Sequence, residues 1–402
     1  MPSVNPDVLK WARETAGLDL EGAAKRLGLK DTRSVAGADR LAALENGDGE
    51  PSRPLLLKMA KNYRRPLLAF YLSAPPKRAE RGEDFRTLPA DYARRDEALV
   101  DALLREVRAR QEMVRSLLEV EDEAKKLPFV GGFDINGGPK ALAKEIEGTL
   151  SFNLAQFRRG ARNDAFAYLR DLAEQVGVFV LLIGNLGSHH STLDVELFRG
   201  VALADPVAPF VVINDQDSEA AWAFTLLHEL AHIWIGRTGI SGANPSSAIE
   251  VFCNDVAGQI LMPEGESARE DALRGAPTEQ VVARIRQLAD AWRVSHSAVN
   301  YKLFREGYIS REVWAEISGI LRRFWLQSRA ATRERNKDNE NGPDYYVVRR
   351  HRLGNRLVTL SGRMLAEGAL SPSMAGRILG VKPTNVYALT GASAAGASGR
   401  AA

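Results

Sequence analysis

From Thr225 to Trp234 the chain reads TLLHELAHIW, and this run limits the possible folds more than any other. Leu226, Leu230, Ile233 and Trp234 give it the apolar packing of a core helix. The same turns carry His228, Glu229 and His232. Residues four apart on a helix stand one turn above each other, so the two imidazoles project to one side. They can then meet one Zn²⁺ at about 2.0–2.1 Å. Glu229 is rotated from His228 by about 100°, within reach of a water at such an ion without being a ligand. Two core histidines hydrogen-bonded to backbone would fit the same letters.

A second helical run, IEVFCNDVAGQILMP, covers Ile249 to Leu261 and stops at Pro263. Glu250 lies 18 residues after His232, enough for a turn (GRTGISGANPSS) and an antiparallel return. Two His and one Glu leave one coordination position open for water, as hydrolytic zinc requires. Asn254 shares the face of Glu250, where its amide could orient a ligand histidine from behind. The competing role for Glu250 is to cap its own helix.

Three short β-rich runs precede the histidine helix: VGVFVLLIG, LFRGVALAD and PFVVIND. Asp217-Ser218 then supplies a helix cap. Strands feeding straight into the histidine helix describe an α+β domain over 139–310. Within it, GVALAD (Gly200 to Asp205) is expected to be an exposed strand edge along which an extended peptide could pair.

The remainder reads as helical. PDVLKWARETAG, LEGAAKRLGL, ADRLAALENG and RPLLLKMAKNY are four short helices with capped turns inside 1–75. Between Asn5 and Leu72, twelve basic residues face nine acids, a weak attraction for phosphate, so a bundle that binds protein is the alternative to one that binds DNA. The stretch 76–138 is a helical linker whose Leu99, Leu103, Val107, Val114, Leu117 and Leu118 repeat at helical spacing, for connection or for a homodimer. It ends in the glycine-rich GGFDINGGP, read as a boundary. Region 311–390 is helical and basic. Ten Arg/Lys oppose four acids from Leu321 to Arg356, with Phe324, Trp325, Tyr345 and Tyr346 interleaved, a pattern open to nucleic acid or to a solvated face. LSPSMAGRILGVKPTNVYAL is another small helical pair, and 391–402 reads as a disordered tail. The single cysteine, Cys253, excludes a disulfide framework and suits a reducing cytoplasm. No apolar run approaches membrane-spanning length.

Two resemblances add to these readings. FTLLHELAHIWIG followed by EVFCNDVAGQILMP, with FRGVALADPVAPFVVIND upstream, resembles the ImmA/IrrE family of bacterial zinc metallopeptidases over roughly Asn185 to Pro263. The resemblance implies a minimal gluzincin-like fold, a small sheet over the motif helices. It implies His228, His232 and Glu250 as ligands of Zn²⁺ (or Mn²⁺), Glu229 as general base and Asn254 as support for a ligand. Cys253 stands where alanine is more common, a small-for-small change. His296, Tyr301 and Tyr308 are candidates by type alone for stabilising an oxyanion. Known members cleave repressor proteins, so the implied substrate is a repressor or antitoxin-like protein. The segments WARETAGLDLEGAAKRLGL, LAALENGDGEPS and LLKMAKNYRRP resemble the Cro/repressor-type (XRE) helix-turn-helix, implying DNA contact through Arg33, Ser34 and Arg40. Here GLKDTRSVAGAD, between Leu27 and Leu41, is longer than that family's tight turn. LADAWRVSHSAVNYKLFREGYIS resembles a second, short helix-turn-helix. The expected whole is multidomain and mainly α: an N-terminal helix-turn-helix bundle, an α+β zinc peptidase domain and a helical C-terminal region. Its expected function is a cytoplasmic zinc endopeptidase coupled to DNA binding. The alternative is a non-catalytic DNA-binding regulator, or an antitoxin with a toxin partner.

Overall fold

Helix stops space the N-terminal helices. Pro6 opens α1 (Pro6–Glu14) behind Asn5, whose side chain accepts the Asp7 N–H. Asp19 caps α2 (Leu20–Leu27) in the same manner, through Gly22 N–H. Gly28 and Gly47 take left-handed φ values of 74° and 89° and end α2 and α3 (Gly37–Asn46). A fourth helix, α4, spans Arg53–Tyr63. The computed structural model describes residues 3–32, 35–76, 83–84, 94–159, 162–187, 191–241, 247–266, 270–337 and 344–391. Arg33 and Ser34 lie outside them, as does 392–402, so the expected DNA contacts reduce here to Arg40, exposed on α3.

The chain divides into two compact units. The first comprises Met1–Arg81, Leu88–Arg108 and Asn185–Leu197. Val8, Leu9, Ala12, Leu27, Leu41, Leu56 and Met59 form its helical core. Arg13 of α1 and Glu45 of α3 are buried together. The guanidinium donates to both carboxylate oxygens, at 2.8 Å each, and to the Leu18 carbonyl at 2.9 Å. The connection from α2 to α3 occupies residues 28–36.

The second unit comprises Gly82–Thr87, Ala109–Gly184 and Phe198–Ala402. Helix α5 (Arg94–Val120), whose residues to Arg108 belong to the first unit and the rest to the second, buries the apolar side expected for it. After α6 (Pro139–Leu150), α7 (Leu154–Arg159) and α8 (Arg162–Gln175) come β2 (Phe179–Leu182), β3 (Gly200–Leu203) and β4 (Phe210–Ile213), with every strand residue buried. They sit in a five-stranded sheet of order β1-β5-β3-β4-β2, where β1 is Glu83–Asp84 and β5 is Gly239–Ser241. Strand β3 pairs antiparallel with both β4 and β5. The expected exposed edge at Gly200 to Asp205 is therefore wrong. The three residues of β5, hidden in a run read as a turn, return beside β3 and use its free hydrogen-bonding edge.

Helix α9 (Glu219–Trp234) packs on this sheet, and α10 (Ala248–Leu261) packs on α9 and α6. Leu226, Leu230, Ile233 and Trp234 join Phe252, Val256, Ala257 and Ile260 in one core, each large side chain contributing about 1.5–3 kcal/mol on burial. Ser218 holds the N-cap position of α9 but makes no side-chain cap bond. The other end is tied by the segment read as a boundary. Gly131 and Phe133 N–H donate to the carbonyls of Ile233 and Trp234 (3.0 and 3.1 Å), and Phe129 stacks on Trp234 with centroids 4.2 Å apart. Gly131 and Gly236, both at positive φ, pass backbone against backbone. A Cβ on Gly236 would lie 3.0 Å from the Gly131 Cα.

Helices α11 (Thr278–Trp292), α12 (His296–Arg305), α13 (Arg311–Lys337), α14 (Tyr345–Leu353), α15 (Asn355–Ala366), α16 (Pro372–Leu379) and α17 (Val386–Thr390) complete the same unit. Four arginines of the basic run from Leu321 to Arg356 tie this unit together. Arg349 and Arg350 donate to the Leu379 and Leu389 carbonyls (2.7 and 2.6 Å), Arg352 pairs with Asp215 (2.7 Å), and Arg356 donates to the Glu174 carbonyl.

Candidate metal centre

Helix α9 sets the two histidines one turn apart, with ring centroids 4.9 Å from each other. Helix α10 begins at Ser247, whose hydroxyl accepts the Glu250 N–H at 3.2 Å. That bond caps the helix without the Glu250 side chain, which turns instead to the histidines. His232 Nε2 lies 3.0 Å from Glu250 Oε1, His228 Nε2 lies 3.4 Å from Oε2, and the two Nε2 atoms are 3.2 Å apart. All three residues are buried. Ligands about 2.0–2.1 Å from a tetrahedral ion stand roughly 3.3 Å from one another, so the triangle has the size of one face of such a site.

The supports behind the triangle orient it. His228 Nδ1 donates to Asn254 Oδ1 at 3.0 Å, which leaves Nε2 with its lone pair toward the other two groups. Ser241 of β5 reaches the same place, its hydroxyl 3.2 Å from His228 Nε2 and 3.4 Å from Glu250 Oε1. No sequence signal marked Ser241, because a three-residue strand inside a glycine-rich loop has no period to read. Gly200 was missed as well, although a glycine inside a strand pattern does signal close approach. A Cβ there would sit 2.6 Å from the Glu229 carboxyl carbon. The missing side chain is what lets α9 bring Glu229 under β3.

Glu229 is fully buried, and neither carboxylate oxygen makes a hydrogen bond of normal geometry among the described residues. Burial pushes its carboxyl up to about 8; the neighbouring Glu250 adds to this, while His228 and the Ser241 hydroxyl pull the other way. Burial alone would raise Glu250 too, but the hydrogen bonds from His228 and His232 outweigh it and hold the group down at about 2. Burial disfavours a charge on His228, yet Glu250 raises it overall. Cys253, on the same helix as Glu250, is driven well up by burial, and so stays a thiol. A buried carboxyl left without partners normally carries a heavy cost. Three ligand atoms at coordination spacing beside it form a donor set that a divalent cation fits.

Tyr301 stands on α12 beside Asp255 and Arg305, and Tyr308 lies under the Arg274 guanidinium, 5.2 Å from it. His296 opens α12.

Residues 174–304 match the family model described as the IrrE N-terminal-like domain. The matched stretch holds β2 to β5, both motif helices and α11, and it reaches α12. It is a family of metal-dependent peptidases, which supports the ImmA/IrrE resemblance and a metallopeptidase-type domain here. No curated protein and no solved structure matches the chain. Among the described residues, no helix is long and apolar enough to cross a membrane.

Proposed function

We propose that this chain is a metal-dependent endopeptidase, with His228, His232 and Glu250 holding Zn²⁺ or Mn²⁺ and Glu229 moving the proton. One observation carries the reading: a buried carboxyl whose oxygens make no hydrogen bond of normal geometry among the described residues, beside three ligand atoms 3.0–3.4 Å apart. A divalent ion held there supplies Lewis-acid chemistry, activating water and polarising a carbonyl. Glu229 accepts a proton from the attacking water at a carboxylate oxygen and later delivers it to the leaving amine. Asn254 keeps the His228 proton on Nδ1. Ser241 and Gly200 hold the space in which Glu229 works. The N-terminal bundle, whose pattern resembles Cro-type repressors, would couple this activity to DNA through Arg33, Ser34 and Arg40. The substrate class is a repressor or antitoxin-like protein. Metal analysis and proteolysis of helix-turn-helix proteins encoded nearby, comparing wild type with Glu229→Gln, test the reading. One equivalent of metal in both forms with cleavage by wild type alone supports it. Metal in both forms and cleavage by neither would move the assignment to a non-catalytic regulator.

A further inference from the structure

Three helix pairs in this chain have a helix-turn-helix outline, and they differ in what their second helix is free to touch. In the N-terminal bundle, nine residues (28–36) separate α2 from α3, well beyond the three- or four-residue turn of the motif. Between α11 and α12 the turn is three residues (293–295), but α12 is spoken for. Ala298, Val299, Asn300, Lys302 and Leu303 are buried, Asn300 donates to Ser318 of α13 at 3.0 Å, and Arg305 pairs with Asp255 of α10.

In the third pair six residues (380–385) join α16 to α17, the last three of them a 3₁₀ turn. Helix α16 ends at Gly380, at φ 61°, and Val381 N–H returns to the Gly376 carbonyl at 2.9 Å, closing a Schellman stop. A Cβ on Gly376 would meet the Val381 oxygen at 2.8 Å, so the glycine lets the chain fold back on its own helix. Three residues (380–382) later, a 3₁₀ turn (Pro383–Asn385) runs straight into α17. Helix α15 packs on both α16 and α17. Leu357, Met364, Ile378, Leu379, Val386 and Leu389 are buried in this trihelical unit.

Its outer residues have another character. Ser373, Arg377, Lys382 and Thr384 are exposed, and among the described residues neither Arg377 nor Lys382 makes an ion pair or a side-chain hydrogen bond. From Gly368 to the last residue of the sequence there is no Asp or Glu, while Arg377, Lys382 and Arg400 are basic. Exposed cations around a glycine turn, on a stretch of chain without acids, attract a polyanion.

We propose that α16, the turn at Gly380 and the segment from Pro383 to Thr390 form a duplex-DNA-binding surface. Arg377 and Lys382 meet phosphates, and the polar side chains of Thr384 and Asn385 face the groove. The assignment is independent of the peptidase reading.

The test is fluorescence anisotropy of the full chain with a labelled duplex of about 30 base pairs, three helical turns, between about 50 and 200 mM salt. The variant Arg377→Glu/Lys382→Glu is expected to bind more than about tenfold more weakly, its salt slope smaller by about two, one for each phosphate that is no longer neutralised. Metal content and melting temperature should match wild type. Should the double charge reversal disturb folding, Arg377→Gln/Lys382→Gln should give an intermediate weakening. Unchanged affinity and slope in the variants would overturn the proposal. So would a wild-type chain that binds no duplex at the lowest salt, or single-stranded DNA competing as well as duplex, since a helix-turn-helix surface is shaped to a groove.

Discussion

Both compact units bury charge in pairs, and the second also buries a charge in a way the first does not. In the first, Arg13 and Glu45 are 7% and 6% exposed, and each oxygen of the carboxylate receives a guanidinium N–H. In the second, Glu229 is just as buried and its oxygens are left without hydrogen bonds of normal geometry, beside a Glu250 that two imidazoles hold ionised. A charge pair that satisfies itself joins two helices and needs nothing else. A buried acid that does not is held there by the rest of the core, and such groups are commoner at functional sites than elsewhere.

The sharpest way to break this contrast is at Glu229. Glu229→Gln keeps the size and the burial, so metal content should hold at wild type while peptide cleavage falls by roughly 10²–10⁴-fold. A variant that cleaves normally would mean the unsatisfied carboxyl is not the proton carrier. At Glu45 the outcome should be the reverse. Glu45→Ala strands Arg13 and should cost about 3–5 kcal/mol of stability in urea melts, with the metal content unaltered. A loss of metal in that variant would mean the two kinds of buried charge are not separate. Smaller effects probe the supports. Asn254→Ala frees His228 to rotate or change tautomer, and metal affinity should drop about 10–100-fold in competition with a chelator.

The last test is a pH dependence in metal-free protein. Burial raises the Glu229 carboxyl to about 8 in the folded chain, against about 4.3 when unfolded. The folded state thus binds that proton more tightly. Its contribution to stability is complete below the unfolded value and is lost as pH rises from about 4 to 8. Glu229→Gln removes the loss, so its melting temperature should exceed that of wild type by more at pH 8 than at pH 5. An equal difference at both pH values would show that Glu229 does not titrate in that window.

Much of the site was readable because helices are periodic. His228 and His232 had to share a side, and Glu250 had to start a second helix after a return. Where two uses of one residue were open, as at Glu250, only coordinates could choose: Ser247 caps α10 and leaves the carboxylate for the histidines. The misplaced edge at Gly200 to Asp205 has a similar origin. A strand's neighbours are chosen by pairing across long sequence distances, and three residues of β5 are too few to announce themselves. The basic run after Leu321 left two readings open for a different reason. Composition counts charges but not acceptors, and Arg349, Arg350 and Arg356 donate to backbone carbonyls.

What the amino-acid order determined by itself was local: where helices start and stop, which faces are apolar, and which polar residues share a turn. Those follow from dihedral preferences and a fixed helical period. What only the tertiary structure decided was meeting. Ser241 joins the triangle, Gly200 clears room for Glu229, and Gly131 ties off α9, each by bringing together segments far apart in the chain. Close packing sets such meetings, and it depends on every neighbouring side chain at once, so no single stretch of sequence contains it.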